Sequence, residues 1–126
     1  MSAKLVSPKE IIIKNVGVLR GLMERNFHPL LIGIILDIAE RYGLVMTESY
    51  REPRHKGDVH STNPVRAIDL RYLCYSDLLA YKIANDINRK WQYDTRRKEM
   101  KVALIHKVEG GGIHFHIQTH HRTKLK

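Results

Sequence analysis

The sequence predicts an α+β domain, with an antiparallel sheet and helices packed mainly on one side. Three segments have helix signals, four shorter segments have strand signals, and the last two strands flank a run of glycines. With 126 residues, the chain is long enough for one domain with a modest core. We therefore expect residues 1–126 to form a single domain.

Two helices are predicted at the start of the chain. The segment Ser-Pro-Lys-Glu at residues 7–10 is a capping box with proline at the first helical position, which predicts a helix over residues 8–25. A second helix is predicted from Pro29 to just before Gly43. Its apolar stripe consists of Leu31, Ile34, Ile35 and Ile38.

The middle of the chain is predicted to hold two strands joined by a long loop. The strands cover residues 44–50 and 67–72, and the loop between them contains two prolines and a glycine. A loop of this length in a small domain is usually functional. Asp69 then lies on the second strand, and His60 lies in the loop before it.

A third helix and a hairpin are predicted in the C-terminal part. Ser76 caps a helix over residues 77–91, and residues 102–108 and 113–119 are strands around a glycine turn. Because side chains alternate along a strand, Phe115 and its neighbouring isoleucines face the core. The opposite face then carries His114, His116 and Gln118.

The net charge is +9, from 22 Lys and Arg against 13 Asp and Glu, and it would draw the protein toward polyanions. The basic clusters at residues 96–98 and 120–126 are expected to be solvated faces or a frayed tail. Cys74 is alone, which excludes a disulfide framework. We find no signal peptide and no apolar run near the roughly 20 residues that span a bilayer, and therefore expect a soluble protein with no membrane partner.

Four residues have the types and spacing of a metal site. His114 and His116 project from one face of a strand, with His60 and Asp69 upstream. Three nitrogen or oxygen ligands from separate segments, with one position left for water, are typical of catalytic zinc. His60, Asp69 and one histidine of the pair would form this site. If His114 bound the metal, His116 would be the candidate base.

From residue 47 to residue 118, the chain resembles the zinc-dependent D-Ala-D-Ala carboxypeptidase and L-alanyl-D-glutamate endopeptidase family, which has a hedgehog/DD-peptidase-like fold and cleaves bacterial peptidoglycan. Residues 47–51, Thr-Glu-Ser-Tyr-Arg, resemble the family's strand ending in Tyr-Arg or Phe-Arg beside the active site. His60 followed by Ala-Ile-Asp at residues 67–69 resembles the zinc-ligand motif. His-Phe-His-Ile at residues 114–117 resembles the late strand with the last zinc histidine.

The resemblance implies a set of roles. His60, Asp69 and His116 would bind Zn²⁺, a zinc-bound water would be the nucleophile, and Arg51 would hold a substrate carboxylate or stabilise the oxyanion. The chain departs from the family in two places. The segment between His60 and Asp69 is two residues longer than usual, and many members have a catalytic glutamate at the position of Ile113.

His114 is the expected substitute for that base, because a neutral imidazole can accept a proton from water near neutral pH. Glu109 is the alternative base. His106, on the neighbouring strand, is expected to pack beside the site rather than bind metal. The other histidines are expected to be ordinary surface residues: His28, His55, His120 and His121.

The expected function is a zinc-dependent peptidase that cleaves peptidoglycan stem peptides, as a carboxypeptidase or an endopeptidase. A phage endolysin-like enzyme, cytoplasmic until it is released to act on the cell wall, would suit this composition, with an anionic wall polymer as a further partner. Ile113 leaves open a non-catalytic zinc-binding module on the same scaffold. The charge leaves open a basic nucleic-acid-binding protein, although the sequence lacks the aromatic platforms of such proteins.

Overall fold

The computed structural model describes residues 5–107 and 112–126. The helices of this part of the chain are α1 (Val16–Glu24), α2 (Pro29–Tyr42) and α3 (Asp77–Lys90), with a short 3-10 helix at Tyr72–Cys74. The strands are β1 (Ile11–Ile13), β2 (Leu44–Glu48), β3 (Ala67–Arg71), β4 (Trp91–Gln92), β5 (Ala103–Lys107), β6 (Ile113–Gln118) and β7 (Lys124–Leu125). The predicted α+β class is confirmed.

The main sheet has the strand order β1-β2-β3-β6-β5, and β4 and β7 form a separate small sheet. The pairs among β2, β3, β6 and β5 are antiparallel, as predicted. β1, however, joins β2 in parallel, so that the sheet is mixed rather than wholly antiparallel. The helices α1 and α2 lie between β1 and β2 in the chain, and such a helical crossover returns the chain in the same strand direction.

The predicted helix over residues 8–25 is wrong in its first half. The backbone N–H of Ser7 does donate to Glu10 Oε1, at 3.1 Å, but Lys9 has a φ of 70° and no helix follows. The three consecutive isoleucines instead form β1, as β-branched residues favour. α1 begins later, where the Asn15 side chain accepts the backbone N–H of Val18 at 3.0 Å.

The core lies between one face of the sheet and helices α2 and α3. The predicted apolar stripe of α2 is buried, and so are Phe115 and Ile117 of β6. In register with them lie Leu70 and Ile68 of β3, which complete the apolar face of the two central strands. The other face of β3 and β6 therefore carries their polar side chains.

The C-terminal segment, expected to be a solvated face or a frayed tail, is exposed at residues 124–126 but is held in place. β7 pairs with β4, and the buried carboxylate of Asp94 binds Arg97 and Arg122. The Arg122 guanidinium binds it through two hydrogen bonds, of 2.7 and 2.8 Å. Within the described ranges, no helix has the length and apolarity needed to span a membrane.

Candidate metal centre

Asp69 and His116 come from the two central strands of the sheet. They are directly opposed in the antiparallel pair of β3 and β6. Their neighbours Ile68, Leu70 and Phe115 point into the core, so alternation turns Asp69 and His116 to the other face. The sheet register thus fixes both side chains on rigid strands.

His60 comes from the loop between β2 and β3, and its side chain is buried, with 1% exposed. The loop has little regular structure, but hydrogen bonds hold its backbone around this residue. The His60 carbonyl accepts from the Arg51 N–H at 3.3 Å, and the His60 N–H donates to Asp58 Oδ1 at 3.1 Å. Both backbone polar groups of His60 are therefore hydrogen-bonded within the loop.

The three side chains meet at one point. His60 Nε2 lies 3.2 Å from Asp69 Oδ1, and His116 Nδ1 lies 2.7 Å from the same oxygen. One ligand atom from each residue falls within 4.8 Å of the others, which a single bound ion can bridge. The structure thus brings together the three residues that the resemblance implies as ligands, and His116 rather than His114 is the member of the histidine pair at this point.

In each of the two ligand imidazoles, the nitrogen that faces away from Asp69 has a hydrogen-bond partner. This partner decides whether that nitrogen carries the proton in the neutral ring. His60 Nδ1 lies 2.9 Å from the carbonyl oxygen of Ser49, so it must be the donor. His116 Nε2 lies 3.1 Å from Gln118 Oε1, and the Gln118 amide is oriented by its own donation to the Lys101 carbonyl at 2.8 Å. His116 Nε2 must therefore also be a donor.

It follows that the neutral forms of both rings present lone pairs toward Asp69. Two imidazole lone pairs and a carboxylate oxygen then converge with no hydrogen between them, an arrangement that requires an added proton, on a ring or on the carboxylate, or a bound cation. Two nitrogens and one oxygen are a donor set that suits Zn²⁺. The residues present therefore fit a zinc ion on chemical grounds.

The carboxylate is held in its charged form. Burial favours protonation of Asp69, but when the two rings are protonated, hydrogen bonds from His116 and His60 outweigh burial and hold the pKa of Asp69 well below its usual range. An ionised carboxylate is the form that binds a metal cation. Asp69 in this form can act as a metal ligand.

A cleft of about 930 Å³ opens over the three residues. Glu48, Asp58 and Asp69 are its acidic residues. Its basic side chains outnumber these acids and consist of Lys14, Arg51, Arg54, Arg66 and Arg97. The remaining wall includes the imidazoles of His55, His106, His114 and His120. The cleft is large enough for several residues of a peptide and favours an anionic ligand.

Arg51 lies in the wall of this cleft, next to the candidate centre, as the family resemblance implies, but its guanidinium already has acidic partners. Its guanidinium donates to both oxygens of Asp58, at 3.2 to 3.3 Å, and lies 4.0 Å from Glu48. Burial favours protonation of Asp58, yet the backbone N–H groups of Arg54 and His60 and the Arg51 guanidinium hold its pKa below the usual value. Arg51 therefore also has a structural role in the loop.

The candidate bases differ in position. His114 lines the cleft beside the metal centre, and Ile113 faces the other side of β6. Glu109 lies outside the residues that the structure describes. His106 also lines the cleft, and its ring centroid is 6.1 Å from that of His116. His106 is exposed and therefore does not pack as tightly as expected.

The remaining histidines only partly match the expectation of ordinary surface residues. His55 and His121 are exposed. His28 is half-buried, with its Nδ1 2.8 Å from Thr119 Oγ1, and burial lowers its pKa. His120 is also half-buried, and burial together with nearby cationic groups lowers its pKa to about 4. The two half-buried rings thus belong to the fold beside the cleft.

Sequence reasoning missed both groups that orient the ligand rings. Asp58, Ser61 and Thr62 flank His60 in the sequence, but their side chains bind backbone groups and, for Asp58, the Arg51 guanidinium as well, rather than the His60 ring. The Ser49 carbonyl carries no sequence signal, because any residue has one. Gln118 could have been found, since it lies two residues after His116 on the same face of the strand.

No protein-family model, curated protein or solved structure matches this chain. The function of the centre is therefore inferred from its own chemistry and from the resemblance of its motifs.

Proposed function

We propose that this protein is a zinc-dependent peptidase that cleaves peptidoglycan stem peptides. One observation carries the metal part of the proposal: two imidazole lone pairs and the Asp69 carboxylate converge under an open cleft. The peptidase part rests on the motif resemblance, and the cleft agrees with it in size and charge.

His60, Asp69 and His116 would hold the zinc ion. Bound zinc supplies a Lewis acid that polarises the scissile carbonyl and acidifies a water molecule. His114, on the same face of β6 and lining the cleft, would accept the proton of the attacking water at a ring nitrogen and pass it to the leaving amine. Ser49 and Gln118 would orient the ligand rings through the hydrogen bonds described above.

The basic cleft wall supports a substrate with carboxylates. Stem peptides carry free carboxylate groups, and a wall with more basic than acidic side chains attracts them. Because Arg51 is bound to Asp58, we assign carboxylate binding to Arg51 together with two other basic side chains of the cleft, Arg54 and Arg66. Arg54 has 65% of its side chain exposed and can turn toward a ligand.

A non-catalytic zinc-binding module is the second candidate, and Ile113 favours it. An isoleucine cannot transfer a proton, so the absence of the usual glutamate leaves proton transfer to His114, with Glu109 as the alternative base. A nucleic-acid-binding protein is the third, favoured by the net charge of +9. In both cases the cleft would bind a ligand without turnover.

The test is digestion of purified peptidoglycan by the zinc-loaded protein, with the released fragments identified by mass spectrometry. We expect cleavage within the stem peptide, reduced by about 10²-fold or more in His114→Ala, whose zinc content should be unchanged. His121→Ala is the matched control, because His121 is exposed and does not line the cleft.

Each other outcome identifies an alternative. Stoichiometric zinc without any cleavage contradicts the peptidase and favours the binding module. Full activity in His114→Ala refutes this residue as the base. If the protein cleaves no peptidoglycan but binds DNA with an affinity that falls steeply as the salt concentration rises, a nucleic-acid-binding function is favoured.

A further inference from the structure

A second pair of histidines lies next to the metal centre. His106 on β5 and His114 on β6 are directly opposed in the antiparallel pair. Their ring centroids are 6.2 Å apart, with an angle of 44° between the ring planes. Both side chains line the cleft. Among the hydrogen bonds of residues 5–107 and 112–126, none involves either ring, so their nitrogens remain available to a ligand.

We propose that His106 and His114 form a second, weaker site for a divalent transition metal. Two imidazoles that share a tetrahedral ion have centroids about 5 Å apart, given metal–nitrogen distances of about 2.0–2.1 Å. The rings of His60 and His116, which meet at the first centre, are 5.3 Å apart. His106 is exposed, and a small rotation of its ring closes the remaining gap to His114.

The second site is distinct from the first. His116 is also near His106, with ring centroids 6.1 Å apart, but its Nδ1 faces Asp69 and its Nε2 faces Gln118. Both nitrogens of His116 are therefore engaged, so the second ion would be bound by His106 and His114 and not by His116.

The chemistry of the pair sets its selectivity and strength. Two imidazoles favour Zn²⁺, Ni²⁺ and Cu²⁺ over Ca²⁺ and Mg²⁺, which require oxygen ligands. With two protein ligands and no carboxylate, the site should bind zinc more weakly than the first centre, where the Asp69 carboxylate is a third ligand. The second ion therefore binds only after the first centre is filled.

One consequence rests on the proposed function. If His114 is the base, a metal on its ring nitrogen occupies the lone pair that accepts the proton. Zinc in excess would then inhibit the peptidase by blocking His114 while the first centre stays filled.

The test is calorimetric titration of the tag-free, chelator-stripped protein with zinc chloride. We expect a tight event followed by a weaker one, about two ions per chain in all, and His106→Ala should lose the weaker event alone. His121→Ala is the control, because His120 and His121 are a stacked pair with centroids 4.0 Å apart that could bind metal themselves.

The proposal is overturned if the wild type binds no second ion at millimolar zinc, or if the weaker event persists in His106→Ala and disappears in His121→Ala. Imidazole resonances recorded by NMR during the titration give an independent readout. His106 and His114 should shift only with the second equivalent. A missing tight event with an intact weaker one would instead count against the first centre, and thus against the proposed peptidase.

Discussion

Asp69 and His116 are directly opposed on two antiparallel strands, with His116 Nδ1 2.7 Å from Asp69 Oδ1. Strand pairing alone thus fixes two members of the candidate centre, and a single loop residue, His60, completes it. The loop depends on contacts from elsewhere in the chain.

Gly21 links helix α1 to the metal centre. A Cβ at this position would collide with Ser49 Oγ and lie 3.1 Å from the Tyr50 backbone nitrogen. The Ser49 carbonyl in turn orients the His60 ring. We expect Gly21→Ala to lower the free energy of unfolding by about 1–3 kcal/mol and to weaken zinc binding, as measured by urea denaturation and zinc titration.

Gly33→Ala is the matched control for this prediction. Gly33 is an exposed position within α2, where an added Cβ meets no atom within 4 Å. Its replacement should raise the free energy of unfolding by about 0.5–1 kcal/mol through helix propensity and leave zinc affinity unchanged. Equal zinc affinity in the two variants would mean that α1 does not support the centre.

Gln118 fixes which nitrogen of the neutral His116 ring carries the proton. Replacing it by methionine keeps the approximate size of the side chain but removes both the acceptor for His116 and the donor to the Lys101 carbonyl. We expect Gln118→Met to weaken zinc binding by about 10- to 100-fold, measured against a chelator of known affinity.

Gln92→Met makes the same chemical change in β4, away from the cleft, where the side chain donates to the Asp94 carbonyl at 3.3 Å. This control should keep the wild-type zinc affinity. An unchanged affinity in Gln118→Met would show that the His116 ring needs no partner to bind the metal.

Asp94 should make stability depend on acid pH. Hydrogen bonds from Arg122, with further ones from Arg97, hold the pKa of Asp94 well below its usual range. A carboxyl whose pKa is lowered by folding stabilises the protein above its unfolded pKa of about 3.9, and this contribution is lost as the pH falls below that value.

We therefore expect the urea midpoint of the wild-type protein to fall between about pH 5 and pH 2. Asp94→Asn should be less stable than wild type at neutral pH and should show a shallower fall in acid. Asp86→Asn is the control, because Asp86 pairs with Lys82 at the surface, where ion pairs contribute little. Parallel acid profiles for wild type and Asp94→Asn would contradict the role given to this carboxylate.

Elements with strong local signals were predicted from the sequence. For α2, the signals were an apolar stripe with a proline at the start and a glycine at the end. For α3, the signal was the Ser76 cap, whose side chain accepts the Leu79 N–H. The alternation of side chains along β6 predicted that Phe115 faces the core and that the histidines lie on the opposite face. These features depend on residues close together in the chain, which is why a single sequence reveals them.

The missed features depend on distant partners. The three isoleucines of β1 form a strand because β2 pairs with them, although a capping box precedes them. β7 is ordered because β4 pairs with it and because Asp94 binds Arg122. At the centre, the Ser49 carbonyl could not be foreseen, since it meets His60 only after the loop has folded.

The most direct test of this account is the zinc content of protein purified without chelator and dialysed at limiting free zinc, by elemental analysis. We predict about one zinc per chain in the wild type and in His121→Ala, and almost none in His116→Ala. Loss of zinc from His114→Ala with retention in His116→Ala would exchange the roles of the two histidines. A wild-type protein that takes up no zinc, even when zinc is supplied, would contradict the metal centre itself.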